Sequence, residues 1–217
     1  MLKVVNSIFR TYIGRYRREL LRHYEDPITL QEEVLRDILK INRSTAFGRD
    51  HDFYAIIKDP SSFAHEVPVR TYEEHLPYLQ RILGGHKRVL TDEAPQWIAT
   101  TSGTTGSTKY LPLSQSAIRD IHLKGSWMSL ACLYEKDEDV QVFSSKNLLI
   151  GGAFKGFHPT TGLPQGDISA VIIQSIPRIM RPFYIPDLEL ATAVNYEEKI
   201  EKIAQLAARE TGITTLG

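Results

Sequence analysis

The feature that most restricts the fold is a change of hydrophobic period near residue 87. Before it, apolar residues recur at helical spacing; after it come short apolar runs of strand length, interleaved with two more helical patterns. Strands alternating with helices imply an α/β class. The expected organisation is a helical N-terminal leader over residues 1–86, packing on a core formed by residues 87–217 in which a β-sheet carries flanking helices. A chain of 217 residues can bury enough apolar surface to need no disulfide or metal staple.

In the first pattern Val5, Ile8, Phe9, Tyr12, Ile13, Tyr16 and Leu20 share one face, with Arg10, Arg17, Arg18 and Arg22 largely opposite. Such a helix either packs on its own domain with a solvated basic back, the commoner case, or lies on an anionic membrane surface. Thr29 and Glu32 have capping-box spacing, so a second helix is expected to start there, bury Leu30, Val34, Leu35, Ile38 and Leu39, and stop near Gly48. Irregular chain is expected over residues 49–68. Thr71 and Glu74 repeat the capping spacing for a third helix, which Pro77 should break or kink and Gly84 and Gly85 should end.

Beyond residue 87, strands are expected over residues 97–100, 148–150 and 170–173, and helices from Ser114 to about Tyr134 and from Asn195 to about Arg209. The last of these should turn Ile200, Ile203, Ala204 and Ala207 inward. Residues 151–166 carry five glycines and two prolines and read as a long loop, either a plain connection or a substrate loop.

Composition narrows the function classes. Basic and acidic residues balance at 26 each, so no nucleic-acid partner is indicated. No apolar run is long enough for a membrane span. The single cysteine, Cys132, has no partner for a disulfide and no neighbour at metal-ligand spacing; it is expected to be a buried, inert thiol in a cytoplasmic protein.

The chemistry concentrates in Thr100, Thr101, Ser102, Gly103, Thr104, Thr105, Gly106, Ser107, Thr108 and Lys109: seven hydroxyls, two glycines and a lysine in ten positions. Glycines let successive amides point inward, hydroxyls donate to phosphate oxygens, and the ammonium adds a full charge. The segment follows a strand pattern and precedes a helical one, a context that favours a phosphate-binding turn over a plain polar loop. A Walker-type loop is excluded because Gly103 and Gly106 are too close and Tyr110 follows Lys109. The dinucleotide spacing is absent, and Ser102 lacks the flanking glycines of a nucleophile elbow.

At these residues the sequence resembles the adenylate-forming superfamily, whose phosphate-binding signature usually continues with Pro-Lys-Gly. Here Thr108-Lys109-Tyr110 is followed by Leu111-Pro112-Leu113-Ser114, which resembles the GH3 acyl-acid-amido synthetase branch. Upstream, Ser44-Thr45-Ala46-Phe47-Gly48 and Val67-Pro68-Val69-Arg70-Thr71-Tyr72-Glu73-Glu74, with Pro77-Tyr78, are similar to the helical leader of bacterial GH3-like proteins.

The resemblance implies a two-step ligase that uses ATP and Mg²⁺. A small carboxylic acid is adenylated with release of pyrophosphate, and an amine or amino acid then displaces AMP. It also implies that Thr101, Ser102, Gly103, Thr104, Thr105, Gly106, Ser107 and Lys109 hold the β- and γ-phosphates, with no catalytic base, nucleophile or metal ligand among them. Arg119, His122 and Lys124, on a helix that would border the acyl pocket, are either carboxylate contacts or a solvated face. The family's adenine and ribose motifs and its mobile C-terminal domain have no counterpart before Gly217, so a longer parent or a fragmentary gene model is expected, and the chain alone is expected to be inactive. Two other readings stay open: an acyl-CoA ligase with a thiol acceptor, and a non-catalytic nucleotide-binding remnant.

Overall fold

A computed structural model of the protein describes residues 2–102, 108–136, 140, 142–143 and 145–216, with side chains from residue 6 onward except at position 102. Helix α1 (Leu2–Glu25) is followed by α2 (Pro27–Asn42), the short helices α3 (Ala46–Asp50), α4 (Phe53–Ile56) and α5 (Phe63–Glu66), and then α6 (Tyr72–Leu83). Strands β1 (Pro95–Ser102) and β2 (Thr108–Ser114) come next, then a π-helical turn (Ala117–Leu123) that runs into α7 (Lys124–Lys136). The remainder is β3 (Lys146–Leu148), β4 (Phe154–Phe157), β5 (Pro164–Asp167), α8 (Ile168–Gln174), β6 (Tyr184–Ile185), α9 (Leu188–Ala191), α10 (Tyr196–Arg209) and β7 (Ile213–Leu216). The mixed α/β architecture is the one the change of period implies.

Local chemistry explains where the elements start. Asp26, not Thr29, caps α2: its carboxylate accepts the Thr29 N–H at 3.2 Å, and Pro27 supplies a preset φ in the first turn. The helix ends at Asn42 rather than near Gly48. Thr45, fully buried, donates its hydroxyl to the Asn42 carbonyl at 2.8 Å and accepts the Gly48 N–H at 2.9 Å, so it closes one helix and opens the next. Gly48 lies inside α3, where a Cβ would sit 2.2 Å from the Asn42 carbonyl oxygen. On α2 only Leu39 is fully buried, while Val34 and Ile38 are exposed. Residues 49–68 contain short helices, α4 capped by Asp52 and a 3₁₀ turn over Pro60–Ser62 capped by Asp59, too short to leave a periodic signal. The capping box of α6 is present as expected, but Pro77 sits inside the helix without ending it, because Leu79 and Ile82 anchor the turns beyond it. Gly84 closes α6.

Helix α1 packs along α7. Ile13 is buried with Ala131, Tyr134, Phe143 and Met180, and Phe9 and Tyr16 pack against them, while Ile8 and Tyr12 at the edge of the expected face are exposed. Arg17 pairs with Glu135, so the basic back is partly engaged by α7, and Lys124 on α7 pairs with Glu19. Among the described residues no helix is long and apolar enough to cross a membrane. Cys132, on α7, is exposed rather than buried, because the neighbouring Ala131 takes the inward position.

Two sheets form the core of the second half. One is four-stranded, in the order β2-β1-β5-β4, with β1 parallel to β5 and the other pairs antiparallel; the other is three-stranded and parallel, in the order β6-β3-β7. The expected strand over residues 97–100 lies in β1, and the one over 148–150 meets β3 only at Leu148. The run over 170–173 is helical instead: Ala170, Val171 and Ile173 are the buried face of α8, and a short apolar run has no period that separates strand from helix. Residues 151–166 are not a loop throughout but contain β4 and most of β5. Helix α10 starts at the expected Asn195 cap and buries Ile203, but Lys199 is buried with it and Ala204 is exposed.

Candidate functional site

The segment singled out by its hydroxyls does not join a strand to a helix. It joins β1 to β2 in an antiparallel hairpin, and the helical stretch begins only after β2. Strand β2 was hidden by Pro112, which removes an amide donor; the strand lies at the edge of its sheet, where that loss is tolerated. Within the hairpin Thr101 pairs with Lys109 and Ser102 with Thr108, so the first threonine and the lysine flank the mouth of the turn. Gly103, Thr104, Thr105, Gly106 and Ser107 lie outside the described residues.

Both sides of the hairpin stem are held by residues far away in sequence. On the β2 side, the Tyr110 N–H donates to the Tyr72 hydroxyl at 2.8 Å, and the Lys109 ammonium lies 5.2 Å from the centre of the Tyr72 ring. The first residue of α6 therefore sits under the lysine. On the β1 side, Thr100 is paired in register with Asp167 at the end of β5 and is buried. Its hydroxyl donates to Asp167 Oδ1 at 3.0 Å and accepts from Lys155 Nζ at 2.9 Å, and Lys155 also pairs with Asp167 at 2.7 Å. Asp167 Oδ2 accepts the Ala153 N–H at 2.9 Å. Burial alone would raise the Asp167 pKa, but Lys155, the Ala153 amide and the Thr100 hydroxyl together hold it below its ordinary value. Nearby, Lys199 is buried and donates to the Gly151 carbonyl at 2.6 Å; burial lowers its pKa, against the pull of Asp167.

The electrostatics suit an anion. Residues 101–109 contain no carboxylate, Asp167 is neutralised by Lys155, and among the described residues Lys109 has no acidic partner. Thr101 and Lys109 are half-buried, and each carries a side-chain donor. Arg119 and Lys124 are occupied elsewhere: Arg119 makes a two-pronged pair with Asp120 at 2.6 and 2.7 Å, and Lys124 pairs with Glu19. His122 offers its carbonyl to the Ser126 hydroxyl at 2.8 Å. An apolar cavity of about 300 Å³ lies between α7 and α8, lined by Leu123, Trp127, Leu130, Ile173, Met180 and Tyr184 among others. Tyr72, Lys155 and Asp167 were missed by the sequence reading because nothing local to them signals a contact with residues 38 to 67 positions away.

Residues 16–209 match the GH3 family N-terminal domain, and the chain belongs to that family. It is 35% identical over 89 residues to an indole-3-acetic acid-amido synthetase, GH3.2, of Arabidopsis thaliana, covering 40% of this chain and 16% of that protein. To a probable indole-3-acetic acid-amido synthetase, GH3.12, of Oryza sativa subsp. japonica, it is 28% identical over 180 residues, covering 77% of this chain and 29% of the relative. A solved GH3.15 acyl acid amido synthetase superposes with a TM-score of 0.69 at 21% identity, covering 87% of this chain and 33% of that one, and the same enzyme in complex with 2,4-DB gives 0.71 at 22% identity. The fold is therefore that of the front part of a GH3 enzyme, and this chain spans less than a third of the length of those curated relatives.

Proposed function

We propose that the chain is the N-terminal part of an ATP-dependent acyl-acid amido synthetase, which adenylates a small carboxylic acid and passes the acyl group to an amine or amino acid. The observation that carries this reading is the hairpin: in a member of the GH3 family, a hydroxyl- and glycine-rich stretch springs from strands that pair Thr101 with Lys109, and among the described residues Lys109 has no acidic partner. Its assigned role is to hold the β- and γ-phosphates of ATP through Thr101, Ser102, Gly103, Thr104, Thr105, Gly106, Ser107 and Lys109. Pyrophosphate is the leaving group when a carboxylate attacks the α-phosphate, so donors fixed on the departing phosphates stabilise charge where it grows. Mg²⁺ would arrive on the phosphate oxygens. The proposal includes residues 1–86 as a helical leader, residues 87–217 as part of an α/β adenylation subdomain, and a cytoplasmic setting.

Titration calorimetry of the chain with MgATP tests the role of the turn. Saturable binding is expected in the wild type, with affinity at least about ten-fold weaker in the double variant Thr104→Ala, Thr105→Ala, the scale for losing oriented donors to phosphate. Equal affinity in the two proteins would remove the turn from ATP recognition.

A further inference from the structure

We infer that Lys155 is a positioning residue which, through Thr100 and Asp167, fixes the end of β1 from which the 101–109 turn springs. The inference deepens the proposed function and rests on the reading that the turn holds a triphosphate. Lys155 is on β4, two strands away from β1, and its ammonium reaches across β5. Of its three donors, one goes to Thr100 Oγ1 at 2.9 Å and one to Asp167 Oδ1 at 2.7 Å. Thr100 spends its own proton on the same carboxylate, at 3.0 Å, so its hydroxyl both donates and accepts. A buried β-branched residue used in both directions cannot change χ1 without breaking two hydrogen bonds.

Place matters as much as bonding. Thr100 and Asp167 are the last register pair between β1 and β5; beyond it β1 pairs with β2 alone. Among the described residues the Lys155 network is thus the outermost side-chain tie on that flank before the turn. The carboxylate is itself pinned by the Ala153 amide at 2.9 Å, and Gly152 leaves room for it: a Cβ there would meet Asp167 Cβ at 2.5 Å and Oδ2 at 2.9 Å. A lysine needed only to neutralise Asp167 could do so from many rotamers. This one is held on two oxygens, one of them on the strand that carries the turn.

The test compares Lys155→Met, Lys155→Arg, Thr100→Val and Thr100→Ser with the wild type by three readouts: the MgATP dissociation constant from calorimetry, hydrogen exchange at the Thr101 and Lys109 amides, and Tm. Lys155→Met and Thr100→Val are expected to weaken MgATP binding about ten-fold, the equivalent of one charge-assisted hydrogen bond, and to speed exchange at those two amides more than elsewhere. Thr100→Ser, which keeps the hydroxyl, and Lys155→Arg, which keeps the charge, are expected to recover most of the affinity. Variants that lower Tm alone, with binding and hairpin exchange as in the wild type, would overturn the inference and leave a purely structural pair. So would equal losses in Thr100→Ser and Thr100→Val. If the wild type itself fails to bind MgATP, the triphosphate reading falls, and the positioning role is then decided by exchange: selective loosening at Thr101 and Lys109 in Lys155→Met supports it, and unchanged exchange overturns it.

Discussion

Asp167 gathers three donors on its two oxygens, and the consequence is a pH dependence whose sign can be worked out. Its folded-state pKa lies below the ordinary 3.8, so the interaction adds stability above that pH and loses it as pH falls from 3.8 through the folded value. Lys155 and Lys199 are the cations that face it. The side chains of the Lys155 pair keep 39% and 33% of their surface in water, so solvent screens the pair, and Asp167→Asn is expected to cost only about 1 kcal/mol near neutral pH. Urea unfolding from pH 3 to 7 checks it: the gap between wild type and variant should narrow below about pH 4, and a gap constant across the range would contradict the assignment. Gly48 gives a second residue-scale test. An added Cβ there meets a backbone oxygen, which no rotamer can relieve, so Gly48→Ala is expected to destabilise the fold by about 1–3 kcal/mol, read from the urea midpoint. Residue chemistry of this kind was partly legible in advance. The cap at Thr71 was legible by its spacing; Gly48 was visible as a glycine, but read as a helix stop when it serves close packing.

Among the elements, long periodic helices were readable and short ones were not. Helices α1, α6 and α10 carry enough turns to show a face, and α6 and α10 carry caps that mark their starts. Strand β2 and helix α8 were misread for opposite reasons: a proline on an edge strand suppresses the strand signal, and a buried β-branched run on one turn of helix imitates it. The error had a functional cost, since it turned a hairpin into a strand-to-helix junction. In the hairpin Thr101 and Lys109 sit on two paired strands, and the stem is braced from α6 as well as from β5 and β4. Tyr72→Phe isolates the α6 brace. It removes the acceptor of the Tyr110 N–H but keeps a ring under Lys109, so faster hydrogen exchange at Tyr110 and a loss of about 1 kcal/mol are expected. Unchanged exchange at Tyr110 would show that the brace is idle.

On the scale of the whole molecule, the N-terminal helices pack on the rest of the chain at several places, among them α1 on α7 and α6 on β2. The first contact was foreseen only as a face looking for a partner; which partner it finds is a tertiary fact, written in Tyr134, Phe143 and Met180 more than a hundred residues away. The second contact reaches the candidate site directly, through Tyr72 and Lys109. The central claim is that the hairpin turn between β1 and β2 receives the phosphates of ATP. A crystal of the protein soaked with MgATP measures this most directly. The account predicts phosphate density within hydrogen-bonding distance of the Thr101 hydroxyl and the Lys109 ammonium. A nucleotide bound elsewhere, with that turn empty, would contradict it.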